Sequence, residues 1–420
     1  MAEIRVEHVT CLGCGCGCDD LTVTVSDGRI MQVEPACPLG RAWFGDGSLP
    51  AEVLRSGRAA PIEQAVAEAA RLLLAARGRC LVYLGSDLTS QAQRHAVALA
   101  DLLGSSVGTA TSETAAAGIV VAQRRGRAGA TLGEARNRAD TLLFWGVDPA
   151  ERYPRFMARF VEPPGTHVPD GRRGRTIVGV SIGRDSGPKG ADLSLVLSPQ
   201  DEIAALSHLR ARLQGKPTTL PSARAAELNE MLARLTASRY VVLIHDAEPG
   251  GEPRNPLRAE ALIALTQALN QPTRAALISL RAGGNCVGAE SVLTWQTGYP
   301  LAVEYGSGWP RYEPGRLGPE GLRQGRYRAA LLLGSVDFAR ADSSGLPGET
   351  TIVIGPRASR FPGTPAVAID TGVAGIHEKG TGYRLDDLPL RLRPPLVGVR
   401  ATVEVLEALL QAVSSAGHPR

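Results

Sequence analysis

Aromatic residues are scarce in this chain of 420 residues, at 4% for Phe, Trp and Tyr together. A core must therefore be assembled from Val, Leu, Ile and Ala. Lysine is nearly absent, occurring only at 189, 216 and 379, so arginine carries almost all of the 46 basic charges. These face 42 acidic residues, and a net charge of +4 argues against a nucleic-acid partner. The arginine excess reads as a coding preference. No apolar run approaches the ~18 residues needed to span a bilayer, and the opening MAEIRVEHVT lacks a basic segment followed by an apolar one. The chain is expected to be cytoplasmic, with no membrane partner. Its bulk, 44% hydrophobic and 21% charged, excludes a disordered or fibrous protein. Its length points to two or three domains.

Cysteine is also sparse, yet five of the seven, Cys11, Cys14, Cys16, Cys18 and Cys37, fall in the first 37 residues. In a reducing compartment such a cluster reads as metal binding before disulfides. The C-x2-C-x3-C spacing of Cys11, Cys14 and Cys18, with the distant Cys37 before Pro38, can place four sulfurs around one centre. Intervening glycines let the backbone turn tightly there. Four soft thiolates suit structural Zn2+ or a [4Fe–4S] cluster, and spacing does not decide between them. Cys16 is spare in this register and could stand in for Cys14 or Cys18. Cys80, in a strand, and Cys286, in a loop, read as isolated small residues.

Around these cysteines the alternation at Ile4 and Val6, at Leu21–Val25 and at Ile30–Val33, with Asp27-Gly28 as a hairpin turn, predicts a small sheet over 1–48. Beyond residue 50 the period turns helical over Ile62–Ala76. A fully apolar run, Cys80–Leu84, then closes on Gly85 and precedes a helix at Gln91–Leu103. The same phrase recurs at Thr141–Trp145, Tyr240–Ile244 and Ala330–Leu333, with shorter runs at Thr176–Val180, Ala275–Leu280 and Thr351–Ile354 and helices at Glu202–Leu213 and Leu257–Leu269. This alternation predicts an α/β protein: doubly wound, mostly parallel sheets in two domains, plus the small N-terminal Cys-rich β domain. The segment Arg281–Gly321 breaks the pattern and reads as a long loop. It collects aromatics at Trp295, Tyr299, Tyr305, Trp309 and Tyr312 among Gly and Pro, which pack on the protein itself or meet a ligand or another chain.

The N-terminal Cys set joined to two α/β domains resembles the molybdopterin or tungstopterin oxidoreductases. Thr141–Pro154, Arg155–Arg159 and Thr294–Tyr312 narrow the resemblance to the B subunits of formylmethanofuran dehydrogenases, over Cys11 to about Leu396. The resemblance implies a [4Fe–4S] cluster on residues matching Cys11, Cys14, Cys18 and Cys37. It also implies a bis-pterin metal held by a Cys or selenocysteine, followed by His and Gly, in the loop Thr109–Gly118. By analogy it implies a discontinuous domain, 49–118 with 282–396, an inserted domain, 119–281, and a C-terminal helix and tail, 397–420. This chain departs from the family at the metal ligand. Thr114 stands at the ligand position and Ala115 at that of the His, and no Cys occurs between 81 and 285.

A threonine hydroxyl is far too weak an acid to give a soft anionic ligand, and alanine carries no proton. Glu113, a hard carboxylate, is the only nearby substitute and reads better as a solvated or helix-capping acid. No Mo/W pterin is therefore expected. The resemblance then points to the B subunit of the formyltransferase/hydrolase complex, and implies a non-catalytic scaffold beside hydrolase-like and formyltransferase-like subunits. Such a complex acts in one-carbon (formaldehyde to formate) metabolism with methanofuran-type and tetrahydromethanopterin carriers. The rival readings are an active Mo/W formylmethanofuran dehydrogenase subunit, an iron–sulfur electron-transfer subunit and a stand-alone binding module. Without a redox neighbour a cluster has no electron to carry, which tips the Cys site towards structural Zn2+. His245-Asp246 at a strand end is the one suggestive histidine, and reads as an ordinary packed or solvated residue. Asp19 and Asp20 either accept hydrogen bonds from the Cys loop or are solvated. Gly85, Gly146 and Gly334 match no nucleotide-binding fingerprint and turn strands into helices.

Overall fold

Alternation of apolar and polar residues folds the first part of the chain into a three-stranded antiparallel sheet, Ile4–Cys11, Cys18–Ser26 and Arg29–Glu34. The turn between the last two strands is Asp27-Gly28, with φ of 52° and 71°. Two successive positive φ values match the right-handed twist of a hairpin, as the sequence predicts. The computed structural model describes residues 3–314, 321, 324–336 and 350–417. The chain divides into two units, Met1–Thr111 with Gly283–Arg420, and Ser112–Ala282. The N-terminal sheet and the C-terminal helix Thr402–Gly417 group with the first unit, and residues 112–118 with the second. The last three residues of the tail lie outside the described residues.

The first unit is built on a sheet whose centre is parallel: Ser106–Thr109, Cys80–Leu84, Ala329–Leu333, Thr351–Gly355 and Val367–Asp370, in that order. Short antiparallel strands extend both edges, Val303–Glu304 beside Ser106–Thr109 and Val53–Arg55 beside Val367–Asp370. The two innermost strands, Cys80–Leu84 and Ala329–Leu333, are apolar runs because helices cover them. Ile62–Ala75 buries Ala65, Val66, Ala69, Ala70 and Leu73 at helical spacing, and its core extends through Ser90–Leu102, Cys286–Thr297 and Thr402–Gly417.

The second unit is a five-stranded, wholly parallel sheet in the order Leu193–Leu197, Thr176–Ile182, Thr141–Trp145, Tyr240–Asp246, Arg274–Leu280. Numbered along the chain this is 3-2-1-4-5, a doubly wound arrangement whose order reverses between Thr141–Trp145 and Tyr240–Asp246. Ligands in such sheets bind outside the carboxyl ends of the strands at that switch.

Two local expectations are corrected. Residues 113–118 are not a loop but the opening of a helix, Glu113–Arg125, because the Ser112 hydroxyl accepts the Ala115 N–H at 3.2 Å and an alanine run follows. Arg281–Gly321 is not one long loop either. Cys286 begins the helix Cys286–Thr297, which ends at Gly298 with φ 84°. Positions 315–320 of that stretch lie outside the described residues. Among the described residues no helix is long and apolar enough to cross a membrane.

Candidate functional site

The cysteine end lies in the first unit. Cys11 closes the first strand and Cys18 opens the second, so the two face each other across the ladder with Leu12–Gly17 looping between them. Cys37 caps the short helix Pro38–Phe44, its sulfur accepting the Gly40 N–H at 3.4 Å. The Cys11 sulfur accepts the Gly13 N–H at the same distance. A Cβ on Gly40 would lie 3.5 Å from Cys11 Sγ and 3.8 Å from Cys37 Sγ, so the two sulfurs flank one glycine. Burial pushes the Cys11 thiol well above its ordinary value, and Cys18, Cys14 and Cys37 push it further. A buried thiol crowded by other cysteines, with N–H groups pointing at two of the sulfurs, belongs to a donor set that a cation would complete. Among the described residues, however, no three His, Cys, Asp or Glu side chains stand in a ready-made metal cage, so a metal would have to draw the sulfurs inward. Cys14 is half-buried and Cys16 buried, while Asp19 and Asp20 are exposed. Cys80 is buried, bonded to the Ala76 carbonyl and pushed up to about 11, as an isolated core residue would be.

The loop is braced from a distant part of the same unit. Gly284 donates its N–H to the Leu12 carbonyl at 2.8 Å and accepts from Asp87 N at 2.8 Å. Asn285, in the left-handed conformation, donates to the Leu88 carbonyl and accepts from Tyr383 N.

Thr114 and Ala115 lie in the second unit, where the first turn of Glu113–Arg125 borders a cavity of about 300 Å3. Its walls include His245, Asp246, Ser279 and Arg281 at the strand ends, and Arg254 and Arg258 beyond them. Glu113 lies exposed in that first turn, near the positive end of the helix, and the cap itself is Ser112. The pterin metal that the resemblance implies would require a soft anionic donor here. The lining offers Thr114 and no cysteine, so these residues do not fit a thiolate-ligated metal.

Buried ion pairs fill the ground around this cavity. Arg258 Nε meets Glu202 at 3.0 Å, Arg254 meets Asp185 at 3.4 Å and Arg281 meets Glu248 at 3.3 Å. Asp246 accepts from Arg152 at 2.6 Å and from the Tyr153 hydroxyl at 3.2 Å, and burial still raises its pKa. His245 Nε2 bonds Ser279 Oγ at 2.8 Å. Burial first, then Arg258, Arg254 and Arg127, push the imidazole down to about 3, so it is a neutral packed residue at physiological pH, as expected from the sequence. The arginines of this wall carry no motif. Only Arg281 directly follows a strand; Arg127 follows the helix Glu113–Arg125, and Arg254 and Arg258 lie beyond Asp246, the second of them opening a helix.

Of the exposed aromatics, Trp309 is 65% and Trp295 59% accessible, the latter set edge-on to Tyr383 at 5.9 Å. Tyr299 and Tyr312 instead stack on each other at 5.0 Å.

In fold, the chain is a two-unit α/β protein of the kind found in a chain of the formyltransferase/hydrolase complex FhcABCD from Methylorubrum extorquens, solved with methylofuran. The TM-score is 0.72, over 87% of this chain and 99% of that one, at 24% identity. In sequence it is 30% identical to the B subunit of the tungsten-containing formylmethanofuran dehydrogenase 2 of Methanocaldococcus jannaschii, over 97% of this chain and 98% of that protein. It is 29% identical to the B subunit of the formyltransferase/hydrolase complex Fhc of M. extorquens, over 76% of this chain and 84% of that protein. No family model matches. The chain belongs to the family of formylmethanofuran dehydrogenase B subunits.

Proposed function

We propose that this chain is a non-catalytic scaffold subunit of a cytoplasmic formyltransferase/hydrolase complex, working on methanofuran-type and tetrahydromethanopterin carriers without a molybdenum or tungsten pterin. One observation supports the reading: Thr114 and Ala115, which the resemblance aligns with the family's metal-binding thiolate and its histidine, lie in the first turn of a capped helix and offer neither group. Hydrolysis of a formyl group moves no electron pair to an acceptor, so a complex that hydrolyses needs no such ligand. The likeness to a chain of FhcABCD and to the relative named as the B subunit of Fhc supports the same reading. The partners are then hydrolase-like and formyltransferase-like subunits, and the exposed Trp295 and Trp309 are suited to meet one of them. The cysteine end holds structural Zn2+ or a [4Fe–4S] cluster, with Zn2+ preferred for want of a redox neighbour.

Purification of the tagged chain from its own cells tests this. Co-purification of those subunits, formyl hydrolysis by the assembly and the absence of pterin support the reading. Stoichiometric Mo or W with its pterin overturns it. Trp309→Ala combined with Trp295→Ala should reduce recovery of partners while leaving the unfolding midpoint of the chain unchanged.

A further inference from the structure

We infer that the basic face at the amino ends of the second unit's sheet docks an acidic segment of a partner protein. The inference rests on residues 112–282 and stands whatever the assembly hydrolyses. All five strands run parallel, so their amino ends share one edge, opposite the cavity at their carboxyl ends. Tyr240 and Arg274 open two neighbouring strands and pair directly in the ladder. Arg239 precedes the first of these, and Arg138 ends the helix Leu132–Arg138 that leads into Thr141–Trp145. These four residues and His167 line an open pocket of about 230 Å3. Arg138, His167, Arg239 and Arg274 are all exposed, as is Arg136 in the same helix. Arg136 and Arg138 suit the negative end of that helix, but Arg239 and Arg274 lie outside any helix, so the dipole does not account for the cluster.

The charge at this edge is not balanced from within. Among the described residues the pocket's ion pair is Arg239 with Asp140, at 3.1 Å, and neither Arg138 nor Arg274 meets a carboxylate. Arg274 lies over the Tyr240 ring, 5.8 Å from its centroid, which steadies the guanidinium and leaves its N–H edge for an acceptor. The nearby carboxylates are already committed. Asp140 accepts from Arg239 Nε and from the Arg239 and Tyr240 N–H groups, and Asp192 from Arg172 and the Ile177 N–H. Glu134 is engaged with the buried Tyr240 hydroxyl. Behind them Arg175 is 3% exposed and held by the carbonyls of Val161, Pro163 and Arg136, with no carboxylate among the described residues. Burial first, then Arg136 and Arg172, push its pKa down, so the positive field of this edge reaches into the fold. A pocket this small and open fits carboxylate side chains presented by another surface better than a ligand that must be enclosed, since small-molecule sites run to ~300–1,000 Å3 and bury most of their occupant. A positive patch facing a negative one steers association and sets partner choice. The chain's net charge of only +4 favours a protein over a nucleic acid as the source of those anions.

Photocross-linking of the full chain, purified with its native partners, tests the inference. Benzoylphenylalanine introduced at the exposed His167 should capture one segment of a co-purifying protein, and mapping should find that segment rich in Asp and Glu. Raising KCl from about 0.1 M to about 1 M shortens the Debye length from ~10 Å to ~3 Å and should lower the yield several-fold. At the lower salt, Arg138→Gln with Arg274→Gln should lower it about ten-fold, with the unfolding midpoint unchanged because neither arginine strands a carboxylate when removed. Arg71→Gln, on an exposed helix face of the first unit, should cross-link as wild type. A segment without acidic residues, capture of nucleic acid, or cross-links confined to this chain overturns the inference, and so does a yield indifferent to salt or to the two arginines. Should the double variant fail to fold, Arg138→Gln alone with the salt series decides. Failure here leaves the proposed scaffold role standing, since that role is judged on pterin content and hydrolysis.

Discussion

Arg258 and Glu202 meet at 3.0 Å with side chains only 5% and 3% exposed, a buried ion pair that also receives the Trp145 indole N–H at 2.8 Å. Burial depresses the Arg258 pKa, so the guanidinium is tolerated because the carboxylate is there. Arg258→Met alone strands a buried carboxylate and should cost ~3–5 kcal/mol in urea unfolding. Adding Glu202→Gln removes that charge while keeping an acceptor for Trp145. The double variant should therefore recover most of the loss. A double variant no more stable than Arg258→Met would show that the arginine acts through packing alone.

Gly283 lies so close to the cysteine loop that a Cβ there would run into the Leu12 carbonyl oxygen and stand 2.8 Å from Cys14 N. Both contacts are backbone and cannot swing away. Gly283→Ala should therefore push the Cys loop off the turn, with loss of the Gly284-to-Leu12 hydrogen bond and destabilisation of ~1–3 kcal/mol. Limited proteolysis should then cut within residues 11–18. Wild-type resistance there would mean that the loop holds its place without this brace.

Glu378 gives the chain a pH signature. It is buried, one oxygen accepts both the Thr402 N–H and hydroxyl at 2.7 and 2.8 Å, and the other has no partner. Burial lifts its carboxyl from 4.5 to about 7. Between those values the unfolded chain releases a proton that the folded chain keeps, so stability falls as pH rises through this window and levels off above it. The slope is on the order of 1 kcal/mol per pH unit. His245 and His377, whose folded pKa values burial lowers, act with the opposite sign and lose stability as pH drops below their ordinary 6.5. Glu378→Gln keeps the acceptor for Thr402 and removes the titration. The wild-type minus variant difference should decline from pH 5 to 7 in chemical denaturation, and a flat difference would refute a raised carboxyl.

Much of this architecture is legible because its signals are local. An apolar run closed by glycine at Cys80, Thr141 and Ala330, and by His245-Asp246 at Tyr240, reads as a buried strand each time, and Asp27-Gly28 dictates its own turn. The failures are also physical. Gly283-Gly284-Asn285 reads as loop punctuation, but its glycines serve a close approach to Leu12, and the helix begins immediately after. Residues 113–118 read as a ligand loop only through the family resemblance, whereas Ser112 and the alanines specify a helix. The cavity wall is hidden in the sequence because Arg258–Glu202 and Arg254–Asp185 pair residues more than 50 positions apart. In so arginine-rich a chain, no single arginine stands out.

The cysteine end yields the most decisive measurement. Cys11, Cys18 and Cys37 come from three different elements, two facing strand ends and a helix cap, and the Cys14 charge also acts on Cys11. Such a convergence is hard to explain by packing, since the other three cysteines add to what burial does in holding the Cys11 thiol protonated. A metal reverses that resistance, because a coordinated thiol is deprotonated outright. Elemental analysis should find one zinc per chain if the site is structural. About four irons per chain, with sulfide and a visible absorbance band, would replace zinc by a [4Fe–4S] cluster. Cys14→Ser should lose the metal and loosen residues 1–48, whereas Cys16→Ser should keep it. Metal loss in Cys16→Ser but not in Cys14→Ser would shift the ligand register by two residues. Full metal content in both, kept also when Cys14→Ser and Cys16→Ser are combined, would remove the 12–17 loop from the site and leave Cys11, Cys18 and Cys37 as the protein ligands.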